Sequence, residues 1–71
     1  MGRIAVSSST VASVGYDEPS STLEVEFKSG GVYQYFGVPR RHFEALTSPS
    51  GSVGSYLARH VKGAYRYRKL R

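Results

Sequence analysis

Strict alternation over Thr22–Lys28 constrains this chain more than any other feature. Leu23, Val25 and Phe27 fall on one side of an extended segment, and Thr22, Glu24, Glu26 and Lys28 fall on the other. That is the pattern of a strand with one face buried. Ser29-Gly30-Gly31 follows at once, and glycine supplies the positive φ that a tight reversal needs. Val32–Phe36 then returns as a second strand, rich in β-branched and aromatic residues. Upstream, Ala12, Val14 and Tyr16 repeat at period two within Val11–Asp17, and Asp17-Glu18-Pro19-Ser20-Ser21 has turn chemistry. Three consecutive antiparallel strands are therefore predicted.

Gly37-Val38-Pro39 breaks this period. Pro39, Phe43 and Leu46 then stand at i, i+4 and i+7, which predicts a short amphipathic helix with Pro39 in its first turn, ending before Ser48-Pro49. Ser50-Gly51-Ser52 reads as a loop, with Ser52 as N-cap of a second helix. Val53, Tyr56, Leu57, His60, Val61 and Ala64 recur at helical spacing, and Gly63 marks the helix end. Tyr65–Arg71 alternates Tyr and Arg and is predicted to be extended. The expected fold is α+β: a three-to-four-stranded antiparallel β-meander followed by two short helices. Residues 8–71 form its single domain, after a partly flexible N-terminus over 1–7. Val14, Leu23, Val25, Phe27, Phe43, Leu46, Leu57 and Val61 are its expected core.

A chain of 71 residues leaves room for one domain and buries only about 60% of its unfolded surface. Cysteine is absent, which removes disulfides, Cys-based zinc sites, iron–sulfur clusters and a thiol nucleophile. The two histidines, His42 and His60, stand far apart in sequence among scattered carboxylates. No catalytic set, metal site or cofactor site is expected from them. No apolar run approaches the ~18 residues of a membrane span, and the N-terminus lacks the apolar stretch of a signal peptide. A cytoplasmic protein without a membrane partner is expected.

Charge is distributed unevenly. The first 44 residues hold four basic and five acidic side chains, whereas residues 45–71 hold six basic ones and no acid. Such asymmetry points to an anionic partner. Arg59 and Lys62 lie about one helical turn apart. Arg40 and Arg41 open the first helix, and Arg66, Arg68 and Lys69 continue the positive surface with Tyr65 and Tyr67 between them. Planar guanidinium donors suit phosphate, and nearby aromatic faces suit bases. Tyr33, Tyr35 and Tyr65 are the stacking candidates. Strand register decides whether Tyr33 and Tyr35 share the covered face of Leu23, Val25 and Phe27 or form an open platform. Ser52 and Gly54, at the start of the second helix, are candidates for an anion site, with simple capping by Ser52 as the alternative.

The order of motifs resembles the KTSC domain. Ser8-Ser9, Val14-Gly15-Tyr16-Asp17, Leu23-x-Val25-x-Phe27, Gly31-x-Tyr33-x-Tyr35 and Val38-Pro39 carry the resemblance. Ser52-x-Gly54-x-Tyr56-Leu57, Val61-Lys62 and Tyr65 continue it. It spans roughly Val6 to Leu70 and departs at Ala58, where members often carry Asn. The family takes its name from a short domain appended to the C-terminus of some lysyl-tRNA synthetases, and it also occurs as small bacterial and phage proteins. The resemblance implies RNA binding. The residues and the resemblance together lead us to expect a non-catalytic binding module for an anionic, base-containing ligand, with RNA foremost. An oligomeric binder of a small signalling nucleotide is one alternative. A protein-interaction module, docking for instance on a tRNA synthetase, is the other.

Overall fold

A computed structural model describes residues 2–48 and 51–71. Pro49 and Ser50, part of the expected loop between the helices, lie outside the described residues. The elements are β1 (Ile4–Ala5), β2 (Val11–Asp17), β3 (Thr22–Phe27), β4 (Val32–Tyr35), α1 (Arg40–Thr47), α2 (Val53–His60) and β5 (Tyr67–Lys69). The five strands form one antiparallel sheet in the order β1-β2-β3-β4-β5. The α+β meander expected from sequence is present and is widened at both edges. β1, within the first seven residues, pairs with β2, and β5 returns after the helices to pair with β4.

The β3–β4 hairpin closes where the sequence places it. Gly30 takes φ 104°, its N–H donates to the Phe27 carbonyl at 2.9 Å, and Phe27 N–H donates to the Gly31 carbonyl at 2.8 Å. β2 departs from simple alternation. Val11 faces Phe27, but Ser13 already faces Glu26, so one residue is extra on β2. This bulge lets Val11 and Val14, three positions apart, both reach the core, while Ala12 is only half-buried. Period two resumes at Val14 and Tyr16.

One sheet face packs on the helices. Val11, Val14, Leu23 and Val25 from the sheet meet Leu46, Val53, Leu57 and Val61 from the helical segment, and Val38 closes the layer. Phe27 and Phe43, expected inside, are half-buried at its margin. Phe43 stacks on Tyr16 with centroids 5.6 Å apart, at the rim of α1. Phe27 is the last residue of β3, where Lys62 Nζ lies over its ring. Pro39 is the N-cap of α1, one position before the first helical residue. Ser52 caps α2, its hydroxyl accepting from Ser55 N–H at 3.3 Å.

The other sheet face is polar and ties down both chain ends. Glu24 accepts from Arg3 and from Gln34, each at 3.0 Å. Glu26 accepts from Ser13 at 3.0 Å and from Arg71 at 3.3 Å. Arg3 crosses Gly15 so closely that a Cβ there would lie 2.5 Å from the Gly2 carbonyl oxygen. Only glycine fits beneath that crossing.

Candidate functional site

The register of β3, β4 and β5 builds the site. Leu23 stands opposite Tyr35 and Tyr35 opposite Tyr67, while Val25 stands opposite Tyr33 and Tyr33 opposite Lys69. Tyr33 and Tyr35 therefore share the face of Leu23, Val25 and Phe27. The helices cover that face over its valines and leucines, and it runs out into tyrosines at β4 and β5. Tyr35 is buried at 3% exposure, Tyr33 is half-buried, and Tyr67 is 63% exposed. They form a floor, a wall and a rim.

The rings pack as one group. Tyr33 and Tyr35 lie nearly parallel with centroids 6.4 Å apart, and Tyr67 is 5.8 Å from Tyr33 and 6.0 Å from Tyr35. Phe27 meets Tyr33 edge to face at 5.5 Å. An open hollow of about 430 Å³ lies between these rings and the end of the α2 segment, which contributes Lys62 and Gly63. Lys62 Nζ sits 4.9 Å from the Phe27 ring centroid, and Lys69 Nζ sits 5.9 Å from that of Tyr33. A cation over an aromatic face is held by the ring quadrupole, so each ammonium has a preferred place at the rim. Burial, then the neighbouring Tyr33 and Tyr67, raise the Tyr35 pKa. Its hydroxyl is a proton donor throughout the neutral range.

A second hollow of about 680 Å³ adjoins the first and shares Phe27, Ser29 and Lys62 with it. Its other walls carry Ser9, Thr10, Lys28 and the start of α2, and Ala58 lies along it. Gly54 is pressed against Thr10: a Cβ on Gly54 would stand 2.9 Å from Thr10 Oγ1. The glycine permits this close helix-to-loop contact.

The structure thus joins Tyr33, Tyr35, Lys62, Ser52 and Gly54 along one cleft. It places the other candidates elsewhere. Arg40 pairs with Glu18 and, at 3.1 Å, with Glu44. Arg41 is exposed on α1 beside His42. Arg59 borders a small depression with Tyr56 and His60. Arg66 precedes β5 and lines a separate shallow hollow with Tyr65 and Tyr67. Arg68 stands opposite Gln34, which bonds Glu24 on the polar face. Tyr65 rests edge-on against His42 at 5.9 Å. Phe27 and Lys28 are site residues that the sequence candidates omitted, and Tyr67 and Lys69, read from sequence only as part of the basic tail, join them. Period two over residues 65–69 was the available signal: it separates Tyr67 and Lys69 from Arg66 and Arg68.

Behind the cleft, the helices meet at a ring cluster. His42 is buried at 7% exposure, and its Nδ1 lies 2.8 Å from the Tyr56 hydroxyl. The Tyr56 ring in turn lies 4.3 Å from that of His60. Burial, then Arg41 and His60, lower the His42 pKa below its ordinary 6.5. The folded state therefore resists the proton that the unfolded chain accepts, so stability present above about pH 6.5 falls as pH drops toward the depressed folded value. The urea midpoint should decline between about pH 7.5 and 5.5, and His42→Gln should flatten that decline. A slope unchanged in the variant would assign the pH dependence to other groups.

Among the described residues, no group of three or more His, Asp or Glu side chains is placed to hold a metal ion. No described helix is long and apolar enough to cross a membrane.

Comparison with known proteins places this geometry. The chain is 39% identical over 71 residues to an uncharacterized protein of Stutzerimonas stutzeri strain A1501, covering 99% of each. It is 40% identical over 55 residues to a lysine–tRNA ligase of Trichormus variabilis, covering 78% of this chain and 10% of the ligase. A crystal structure of a KTSC domain protein from Yersinia pestis superposes with a TM-score of 0.91 at 38% identity, covering 99% of this chain and 97% of that one. The sequence profile of the KTSC domain matches residues 7–65. With that match spanning most of its length, the chain belongs to the KTSC domain family.

Proposed function

We propose that this chain is a non-catalytic module that binds single-stranded RNA along the tyrosine cleft. A base stacks among Tyr33, Tyr35 and Tyr67, and the adjoining phosphate meets Lys62, with Lys28 and Lys69 to either side. The carrying observation is the register that sets three tyrosines and Lys69 on one sheet face beside Lys62. Single strands suit such a site because unstacked bases can lie on aromatic rings while lysines follow the backbone. The lysine–tRNA ligase relatives act with an RNA, as their name says, which supports RNA as the anion. In this reading the module works in the cytoplasm, and Arg66, Arg68 and Arg59 contribute a general positive field rather than contacts in the cleft.

The test is salt-dependent binding of a labelled single-stranded RNA ten-mer, read by fluorescence anisotropy. Lys62 is exposed, so Lys62→Gln should fold normally. The variant should bind more weakly, and its log–log salt slope should flatten by about 0.7 for the one lost phosphate contact. An unchanged slope would remove Lys62 from the interface. Tight, stoichiometric uptake of a mononucleotide by an oligomer would favour the small-nucleotide reading. A partner that survives nuclease treatment, with no RNA bound, would favour protein docking.

A further inference from the structure

We infer that the hydroxyl-lined hollow beside the tyrosines reads the ribose 2′-hydroxyl, so that the cleft prefers RNA to DNA of the same base sequence. This inference rests on the proposed nucleic-acid reading of the cleft.

The two hollows differ in chemistry and share one wall. Rings line the first, while Ser9, Thr10 and Ser55 line the second, with Ser29 and Lys62 at the boundary. A nucleotide with its base among the rings and its phosphate at Lys62 has its sugar at that boundary. Phosphate contacts position a strand but carry no information about the sugar. Something else must sense it.

Hydroxyls in and beside the second hollow fall into two groups. Ser8 Oγ accepts from the Thr10 and Val11 N–H groups at 3.2 Å each, and Ser52 Oγ accepts from Ser55 N–H. Those two are engaged in turn and cap. The hydroxyls of Ser9, Thr10, Ser29 and Ser55 make no hydrogen bond with other described residues. Each is both donor and acceptor, as is the 2′-hydroxyl, the group by which a protein distinguishes RNA from DNA at a given site.

Thr10 is also held in place. Gly54 brings the first turn of α2 against its Oγ1, and its carbonyl accepts from Lys28 N–H at 2.8 Å. An ordered hydroxyl gives up less freedom on binding than a mobile one.

The experiment compares labelled ten-mers of uridine and 2′-deoxyuridine at one salt concentration, with wild-type protein, Thr10→Val and Ser55→Ala. Thr10→Val keeps the shape and removes the hydroxyl. RNA should bind about 2- to 12-fold more tightly than DNA, the value of one net hydrogen bond. At least one variant should lower RNA affinity toward the DNA value and leave DNA binding unchanged. Equal binding of the two strands by wild type would overturn the inference while leaving the nucleic-acid reading intact. Variants that weaken both strands alike would overturn it too, since they would act on the cleft as a whole. Binding of neither strand would sink the proposed function and this inference together.

Discussion

Leu57→Ala is expected to lower the unfolding free energy by about 2–5 kcal/mol, the range for leucine truncation in a close-packed core. Leu57 is 1% exposed and belongs to the cluster of Val14, Leu23, Val25 and Leu46. A domain of 71 residues has roughly 4–11 kcal/mol of net stability at typical per-residue values. The truncation therefore consumes a large share of the total. Leu57 also terminates α2 with its backbone: its carbonyl accepts from Val61 N–H at 3.0 Å and from Lys62 N–H at 2.9 Å. Loosening Leu57 releases the wall that carries Lys62 and Gly63, so cleft and core should fail together. Urea unfolding followed by circular dichroism measures the loss. A change below about 1 kcal/mol would mean that α2 is not docked through this side chain.

Tyr67→Ala should weaken single-stranded RNA binding by about 5- to 150-fold, equivalent to the roughly 1–3 kcal/mol of one stacked base. Tyr67 is 63% exposed, so its removal exposes little new core and should leave the thermal midpoint nearly unchanged. Tyr67→Phe keeps the ring and should keep most of the affinity. Arg68→Ala is the matched control. It sits on the same strand but on the polar face, opposite Gln34, and should cost only the small general attraction of one cation. The reverse result, with Tyr67→Ala near wild type and Arg68→Ala without binding, would move the strand to the polar face of the sheet.

The Tyr67 and Arg68 expectations depend on β5, a strand whose presence was legible only in part. Tyr65 and Tyr67 alternate with Arg66 and Arg68, which predicted an extended segment over Tyr65–Arg71. Their partner was not legible, because three residues carry no record of which open edge they will join. Tertiary pairing settled it: Val32 N–H donates to the Arg71 carbonyl at 2.9 Å, Phe36 N–H donates to the Arg66 carbonyl at 2.9 Å, and Glu26 holds the Arg71 guanidinium. The arginines of this tail stood out in the sequence because charge is conspicuous there. In the fold Arg68 faces away from the rings, and Lys69, a less conspicuous residue, faces them.

The β2 bulge is a second such case. Alternation from Ala12 onward pointed inward at the wrong residue at its start, because one extra residue at the bulge reverses the face of everything before it. His42 is a third. The residues on either side of it are Arg41 and Phe43, and its hydroxyl partner Tyr56 comes from the other helix, fourteen residues on.

The sequence by itself determined the β3–β4 hairpin, the presence of two helices, the cap at Ser52 and the core positions Leu46, Leu57 and Val61, although the second helix stops at His60, before the expected end at Gly63. Each of these follows from side-chain period or turn chemistry within a few residues, where backbone geometry leaves little choice. The tertiary structure alone decided that Tyr33 and Tyr35 lie on the covered face, that Tyr67 and Lys69 complete their row, and that Thr10 meets Gly54. Those contacts join residues far apart along the chain, and their register is set by which surfaces can be buried together, a property of the assembled layers that no local segment contains.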